Sequence, residues 1–135
     1  LNDLPPELLY MTSLRELNLT RNELTTVHPS IEKLTNLHTL FLSHNQLHNI
    51  AVDLSLLSQV EYLRVDHNQL RDLPDCIGDI PFLLELWCQD NLLHQLPSNF
   101  ENLTALTDLR ADNNKLTALP LEIGGMLRLT EMRIS

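Results

Sequence analysis

The chain is poor in glycine, in aromatic residues and in positive charge, and each shortage excludes a class of function. Its 135 residues include 3 Gly, 3 Phe, 2 Tyr and 1 Trp, with 9 basic against 18 acidic side chains. The three glycines, Gly78, Gly124 and Gly125, fit neither a phosphate-binding loop nor a dinucleotide fingerprint. A net charge of −9 disfavours nucleic acid and anionic membranes, because their phosphates repel an acidic protein. No apolar run approaches the roughly 18 residues that a membrane-spanning helix needs, so we expect no membrane insertion.

Motifs that would carry chemistry are also missing. The patterns G-x-S-x-G and H-E-x-x-H do not occur. Cys76 and Cys88 form no cluster of the kind that closes the ends of extracellular repeat proteins with disulfides. Glycosylation tripeptides begin at Asn18 and Asn102 and point weakly to secretion, but such tripeptides arise often by chance. We therefore predict no enzyme activity, no cofactor, and reduced thiols in a cytoplasmic protein.

The abundant residue is leucine, at 33 of 135 positions, and it recurs with a period of 23 residues. Numbered from the first apolar residue, successive copies start at Leu14, Leu37, Val60, Leu83, Leu106 and Leu129. Positions 4, 6, 11 and 14 are apolar in every copy that includes them. Position 9 is asparagine in all five copies present: Asn22, Asn45, Asn68, Asn91 and Asn114. Chance does not produce such a pattern, so the repeat defines the fold.

The period also predicts the organisation of the chain. We expect one domain over residues 1–135, and a fragment of a longer chain, because both ends cut through a repeat. The predicted repeats are 1–13 (partial), 14–36, 37–59, 60–82, 83–105, 106–128 and 129–135 (partial).

Each repeat predicts one short strand that cannot bury its apolar face alone. Side chains at positions 4 and 6 point to one face of the strand, and those at positions 3, 5 and 7 point to the other. Stacked repeats therefore share a core and place their strands in a parallel sheet along a concave surface. The repeated asparagine is expected to bond backbone groups of adjacent turns as a ladder, since these groups are otherwise buried and unpaired.

The repeat resembles the leucine-rich repeat family, whose pattern L-x-x-L-x-L-x-x-N-x-L it matches along the whole chain. The segments Leu73–Ile77, Leu96–Phe100 and Leu119–Ile123 match the L-P-x-x-I/F ending of its 23-residue class. That class is typical of intracellular Ras-binding and PDZ-linked scaffold proteins. The resemblance implies an α/β fold: a curved right-handed leucine-rich-repeat solenoid with a concave parallel sheet and short 3-10 or α turns on its convex side. It also implies scaffolding in signalling, with a small GTPase or a phosphatase subunit as partner.

Two repeats depart from this class on the convex side. Position 15 is His28 in one copy, with the proline displaced to Pro29, and Ala51 in the next copy. Without a proline to start the turn, we expect the segment 53–58 to be more helical than its counterparts.

The outward positions of the strands have no packing role, so function is expected there. Phe41, Tyr62 and Trp87 fall on this face in consecutive repeats, and Trp, Tyr and Arg are enriched at interface hot spots. One alternative is that the aromatic rings only cover the sheet, with Arg64 stacked between two of them. We predict a protein-binding site on the concave face formed by Phe41, Tyr62, Arg64, Trp87, Glu85, Asp108, Arg110 and Arg133.

Acidic side chains occupy position 3 of three consecutive repeats, at Glu85, Asp108 and Glu131. Like charges one strand apart are unfavourable unless they are compensated. Two interpretations stay open from sequence: a face neutralised by the neighbouring arginines, or an acidic patch that awaits a basic partner.

A histidine occupies position 8 of two adjacent repeats. His44 and His67 lie close in sequence to Asp66 and Asp90, and His and carboxylate are acceptable transition-metal ligands. Because no run of ligands has a diagnostic spacing, and this position is ordinarily a solvated turn, we predict no metal site.

Two further classes of function remain alongside a protein-interaction module. The chain is compatible with a structural segment of a large cytoskeletal or ciliary assembly, whose permanent interface would be more apolar. It is also compatible with the recognition domain of a larger enzyme whose catalytic part lies elsewhere.

Overall fold

A short strand recurs in every repeat. The computed structural model describes residues 1–135, with the exception of the side chains of Leu9 and Glu122. The strands are β1 (Glu16–Asn18), β2 (Thr39–Phe41), β3 (Tyr62–Arg64), β4 (Glu85–Trp87), β5 (Asp108–Arg110) and β6 (Glu131–Arg133). They form one sheet in chain order, and every neighbouring pair is parallel and in register. Residues one repeat apart therefore lie side by side, and each repeat position becomes a column across the sheet.

The return segments contain 3-10 helices. These are η1 (Pro6–Tyr10), η2 (Pro29–Lys33), η3 (Leu54–Leu56), η4 (Asp75–Asp79), η5 (Ser98–Asn102) and η6 (Leu121–Gly125). Proline stands at the cap of four of the helices that have five residues and at the first position of η2, where its fixed φ favours helix entry. In the part of the chain that the structure describes, no helix is long and apolar enough to cross a membrane.

The expectation of a more helical segment at 53–58 is wrong. Its helix, η3, has three residues where the others have five. With Ala51 in place of proline, the helix starts only after Asp53, whose carboxylate accepts a hydrogen bond from the Ser55 amide at 3.1 Å. In the other departing repeat, His28 caps η2 in a similar way and the helix keeps its full length.

The core is a continuous stack of leucine columns between the sheet and the 3-10 helices. Position 4 contributes Leu40, Leu63, Leu86 and Leu109, all at most 1% exposed. Phe100, which is completely buried, packs into the same core from η5. Because the strands are in register, each leucine packs against the equivalent residue of the repeats on either side, and adjacent repeats stabilise one another.

Asparagine at position 9 joins adjacent repeats by hydrogen bonds. The amide of Asn91 donates to the carbonyls of Val65 and Cys88 at 3.0 and 3.1 Å, and its Oδ1 accepts from the Leu70 amide at 3.0 Å. The same three bonds recur at Asn45, Asn68 and Asn114. Backbone groups that the tight turns would leave unpaired are thereby satisfied inside the stack.

The residue before each of the five asparagines at position 9 has a left-handed backbone. The φ angles are 52–58° at Arg21, His44, His67, Asp90 and Asn113. A side chain in this region costs about 1–2 kcal/mol, except that Asn, Asp and His are better tolerated. The turn at position 8 follows every strand from β1 to β5, so it places the side chains of this position at one edge of the concave face.

Candidate functional site

The concave face consists of the outward side chains at positions 3, 5 and 7 of the strands and the turns that follow them. Along position 5, the guanidinium of Arg64 stacks between two rings, 4.3 Å from the centroid of Phe41 and 3.6 Å from that of Trp87. The opposite face of the indole carries Arg110, whose guanidinium carbon lies 3.9 Å from the ring centroid. We name these four half-buried side chains, Phe41, Arg64, Trp87 and Arg110, the cation–π column.

The acidic side chains of position 3 pair with the arginines of position 5. Arg64 lies 3.7 Å from Glu85, and Arg110 lies 3.3 Å from Asp108. The indole Nε1 of Trp87 also donates to Asp108 at 3.3 Å. Of the two interpretations left open by the sequence, this geometry favours a face whose charges are neutralised internally.

The remaining predicted residues lie at the border of the cation–π column. Tyr62 is half-buried on β3, in register between Thr39 and Glu85. Arg133 is on β6 and forms its ion pair with Glu131 of the same strand at 2.7 Å. The predicted set therefore divides into a packed centre of six side chains, the cation–π column with Glu85 and Asp108, and two peripheral ones.

A groove of about 700 Å³ opens on the N-terminal side of the cation–π column. Its lining residues are Asn18, Thr20, Arg21, Phe41, Ser43, His44, Arg64, Asp66 and Trp87. Phe41, Arg64 and Trp87 were predicted to belong to the binding face, whereas the polar residues of β1 and of the turns after β1, β2 and β3 were not. The available signal was their repeat position, since position 5 points outward from the strand and positions 7 and 8 directly follow it on the same face.

The two thiols do not form a reactive site. Cys88 occupies position 6 in the core, and burial, reinforced by the nearby carboxylates of Asp66 and Asp112, raises its pKa far above the ordinary value. Burial likewise raises the pKa of Cys76, on η4, whose thiol faces the Val52 carbonyl at 3.7 Å. Because the thiolate is the nucleophilic form, both cysteines are poor nucleophiles.

Comparison with known proteins gives the fold its name. Residues 12–70 match the sequence profile described as leucine rich repeat. The chain is a leucine-rich-repeat solenoid. A leucine-rich-repeat protein of Leptospira interrogans resembles this solenoid with 30% identity and a TM-score of 0.75, over 99% of this chain and 40% of that protein. The profile match and this likeness together support the leucine-rich-repeat fold.

Two further solved structures share the solenoid. The functional domain of InlJ from Listeria monocytogenes, whose structure includes a cysteine ladder, is 29% identical with a TM-score of 0.84, over 98% of this chain and 28% of that one. The Arabidopsis receptor kinase HAESA, solved with the peptide hormone IDA and the co-receptor SERK1, is 24% identical with a TM-score of 0.87, over 98% of this chain and 24% of that one. No curated protein matches the chain. The solenoid spans less than half the length of each of these three structures.

Proposed function

We propose that this solenoid is a non-catalytic interaction module that binds a partner protein across its concave face. The observation that carries the proposal is the cation–π column, in which Phe41, Arg64, Trp87 and Arg110 form one continuous surface over four strands. Trp and Arg are the residue types most enriched among interface hot spots, and here they lie at the centre of the face.

The column is also held in place before any partner arrives. Glu85 and Asp108 fix the two guanidinium groups from the neighbouring column, and Asp108 fixes the indole as well. Side chains that are already ordered lose less conformational entropy on binding, which favours affinity. Because both faces of the indole are covered by guanidinium groups, the partner contacts the edges of this stack and the open groove beside Phe41.

The fold neighbours support a polypeptide as the class of ligand. The HAESA structure contains a peptide hormone and a co-receptor, so this solenoid architecture accommodates polypeptide partners in at least one protein. We further propose an intracellular scaffold in the cytoplasm, with a small GTPase or a phosphatase subunit as partner. This finer proposal depends on the resemblance of the L-P-x-x-I/F repeats to signalling scaffolds.

The test compares two variants, one changed on the concave face and one changed away from it, in their ability to capture partner proteins. Trp87→Ala removes the centre of the cation–π column, whereas Leu127→Ala removes an equally apolar side chain that is 92% exposed and lies between η6 and β6. Proteins recovered from cell extract on the immobilised chain are quantified by mass spectrometry, and the best candidate is purified for calorimetry. We expect Trp87→Ala to weaken its binding about thirtyfold, or by about 2 kcal/mol, with Leu127→Ala unchanged. Equal affinity of the wild type and Trp87→Ala for every purified partner would show that the proposal is wrong.

A further inference from the structure

A second group of side chains borders the groove, on the turns that follow β2 and β3. The imidazole rings of His44 and His67 come from adjacent repeats and stack with their centroids 4.0 Å apart and an interplanar angle of 25°. The carboxylate of Asp66 lies beside them, and its Oδ2 is 2.9 Å from Nδ1 of His67. One ligand atom from each of the three residues lies within 4.8 Å of the other two.

We propose that His44, Asp66 and His67 bind a first-row transition-metal ion such as Zn²⁺. Imidazole nitrogen with one carboxylate is a ligand set that suits Zn²⁺, Cu²⁺ and Ni²⁺, whereas Mg²⁺ and Ca²⁺ prefer oxygen ligands alone. Three protein ligands leave further coordination positions for water or for a side chain of a bound partner.

The surroundings of the three ligands match the outer shell of a metal site. Nε2 of His67 lies 3.3 Å from Oδ2 of Asp90, which can accept a hydrogen bond from Nε2–H. In that tautomer Nδ1 carries no proton and can coordinate an ion together with Asp66, whose Oδ2 it faces. The hydroxyl of Ser43 donates to Oδ1 of Asp66 at 2.6 Å and so orients the carboxylate. Asp66 is only 5% exposed, so its orientation is fixed by the fold rather than by solvent. Such second partners orient the ligands and increase their basicity.

The two histidines provide the access and the adjustment that metal binding needs. Both are exposed at the surface, so an ion reaches them directly from solvent. Ligands at 2.0–2.1 Å from Zn²⁺ are about 3.3 Å apart in a tetrahedral site, so the ligand atoms must approach one another. The exposed His44 side chain can make this movement by rotation, which also turns its ring out of the stack. His44 and Asp66 both line the groove, so the ion would lie at its rim.

From the sequence we predicted no metal site at these residues, and their position in the fold explains why the chain shows no metal motif. His44 and His67 are one 23-residue repeat apart, so no short ligand run exists along the chain. The in-register pairing of β2 with β3 brings the two turns together. A solenoid converts a spacing of one repeat into contact between neighbours.

The experiment titrates ZnCl₂ into the wild-type chain and three variants by calorimetry. His44→Asn and His67→Asn remove one ligand each and keep the left-handed backbone, which Asn tolerates. His48→Asn is the matched control, since His48 is an exposed histidine outside the ligand group. We expect one Zn²⁺ per wild-type chain, binding weakened at least about tenfold in each of the first two variants, and no change in the control.

A second measurement separates loss of the site from loss of the fold. Circular dichroism reports whether each variant is folded, and Co²⁺ gives a visible absorption spectrum that reports coordination by nitrogen and oxygen. If a histidine variant does not fold, Asp90→Asn takes its place and should weaken Zn²⁺ binding several-fold by removing a charged partner of His67. Absence of saturable binding at millimolar Zn²⁺ would contradict the site, as would equal binding by the folded ligand variants and the control. The metal titration needs no protein partner, so its outcome is independent of the proposed function.

Discussion

The inward and outward columns of the same six strands differ in how much their residue types vary from repeat to repeat. Position 4 is leucine in five copies and methionine in the sixth, whereas position 5 holds side chains of quite different chemistry: Asn18, Phe41, Arg64, Trp87, Arg110 and Arg133. Both columns have the same backbone, register and spacing. The difference therefore comes from what surrounds the side chains and not from the strand itself.

The surroundings explain the contrast. An inward side chain fills a space bounded on two sides by copies of itself, so any change of volume is felt by three repeats. An outward side chain touches only its lateral neighbours and solvent, so an outward position tolerates many residue types. In this solenoid the interior maintains the stack, and the concave face is free to specify a partner.

The largest loss of stability is expected from truncation of an inward residue. Leu63→Ala removes a side chain that is 1% exposed in the middle of the stack. We expect the free energy of unfolding to fall by about 2–5 kcal/mol, because a cavity replaces packed atoms. Chemical denaturation measures the loss, with Leu127→Ala, the same change at a surface position, as control. Equal losses in the two variants would show that the assigned frame is wrong.

The next effect concerns the polar ladder inside the stack. Asn91→Ala removes the hydrogen bonds to Leu70, Val65 and Cys88 and leaves their backbone groups unpaired. We expect a loss of about 1–3 kcal/mol in the free energy of unfolding, since buried groups without partners are costly. The control is Asn49→Ala, because Asn49 is exposed and does not belong to the ladder. Equal losses in the free energy of unfolding for Asn91→Ala and Asn49→Ala would show that the ladder does not stabilise the stack.

A smaller effect on stability is expected on the concave face. Trp87→Ala removes a half-buried ring that contacts two arginines and Asp108. We expect a loss of about 1 kcal/mol in the free energy of unfolding, because cation–π contacts at partly exposed sites are weak. Thermal or chemical denaturation gives this value, which must stay well below that of Leu63→Ala. A loss as large as that of the buried leucine would place Trp87 in the core and remove it from the binding surface.

The smallest effect is expected from a single ion pair of the face. Glu85→Gln removes the charge opposite Arg64, at 3.7 Å and with both side chains about 30% exposed. Solvent screening limits the change in the free energy of unfolding to within about 0.5 kcal/mol. Denaturation at low and high salt should show this difference vanish as salt rises. A large, salt-independent loss would mean that the pair is effectively buried and supports the stack.

The interior was predictable because every inward column repeats. Leu63 and Asn91 were assigned to core and ladder from their positions in the 23-residue frame, and the structure places both side chains inside the stack. The convex side was predictable only where proline starts the turn. At Ala51 we expected more helix and the structure has less, since the Asp53 cap sets a later start that repeat position alone did not indicate.

For the concave face, the sequence predicted which residues lie on it but not which side chains contact one another. The outward alternation of a strand assigned Phe41, Arg64 and Trp87 to one surface, and Arg64 between two rings stood among the alternatives. The second guanidinium on the indole and the bond from Trp87 to Asp108 follow from rotamers, which a sequence period does not specify.

Sequence by itself determined the repeat, the inward and outward columns and the ladder of asparagines, because each of these depends on periodicity along one chain. Tertiary structure alone decided which outward side chains meet: the stacked rings of His44 and His67, the pairing of Glu85 with Arg64, and the groove between β1 and β4. The physical reason is that stacking in register turns residues 23 apart into neighbours, and their contacts then depend on side-chain geometry.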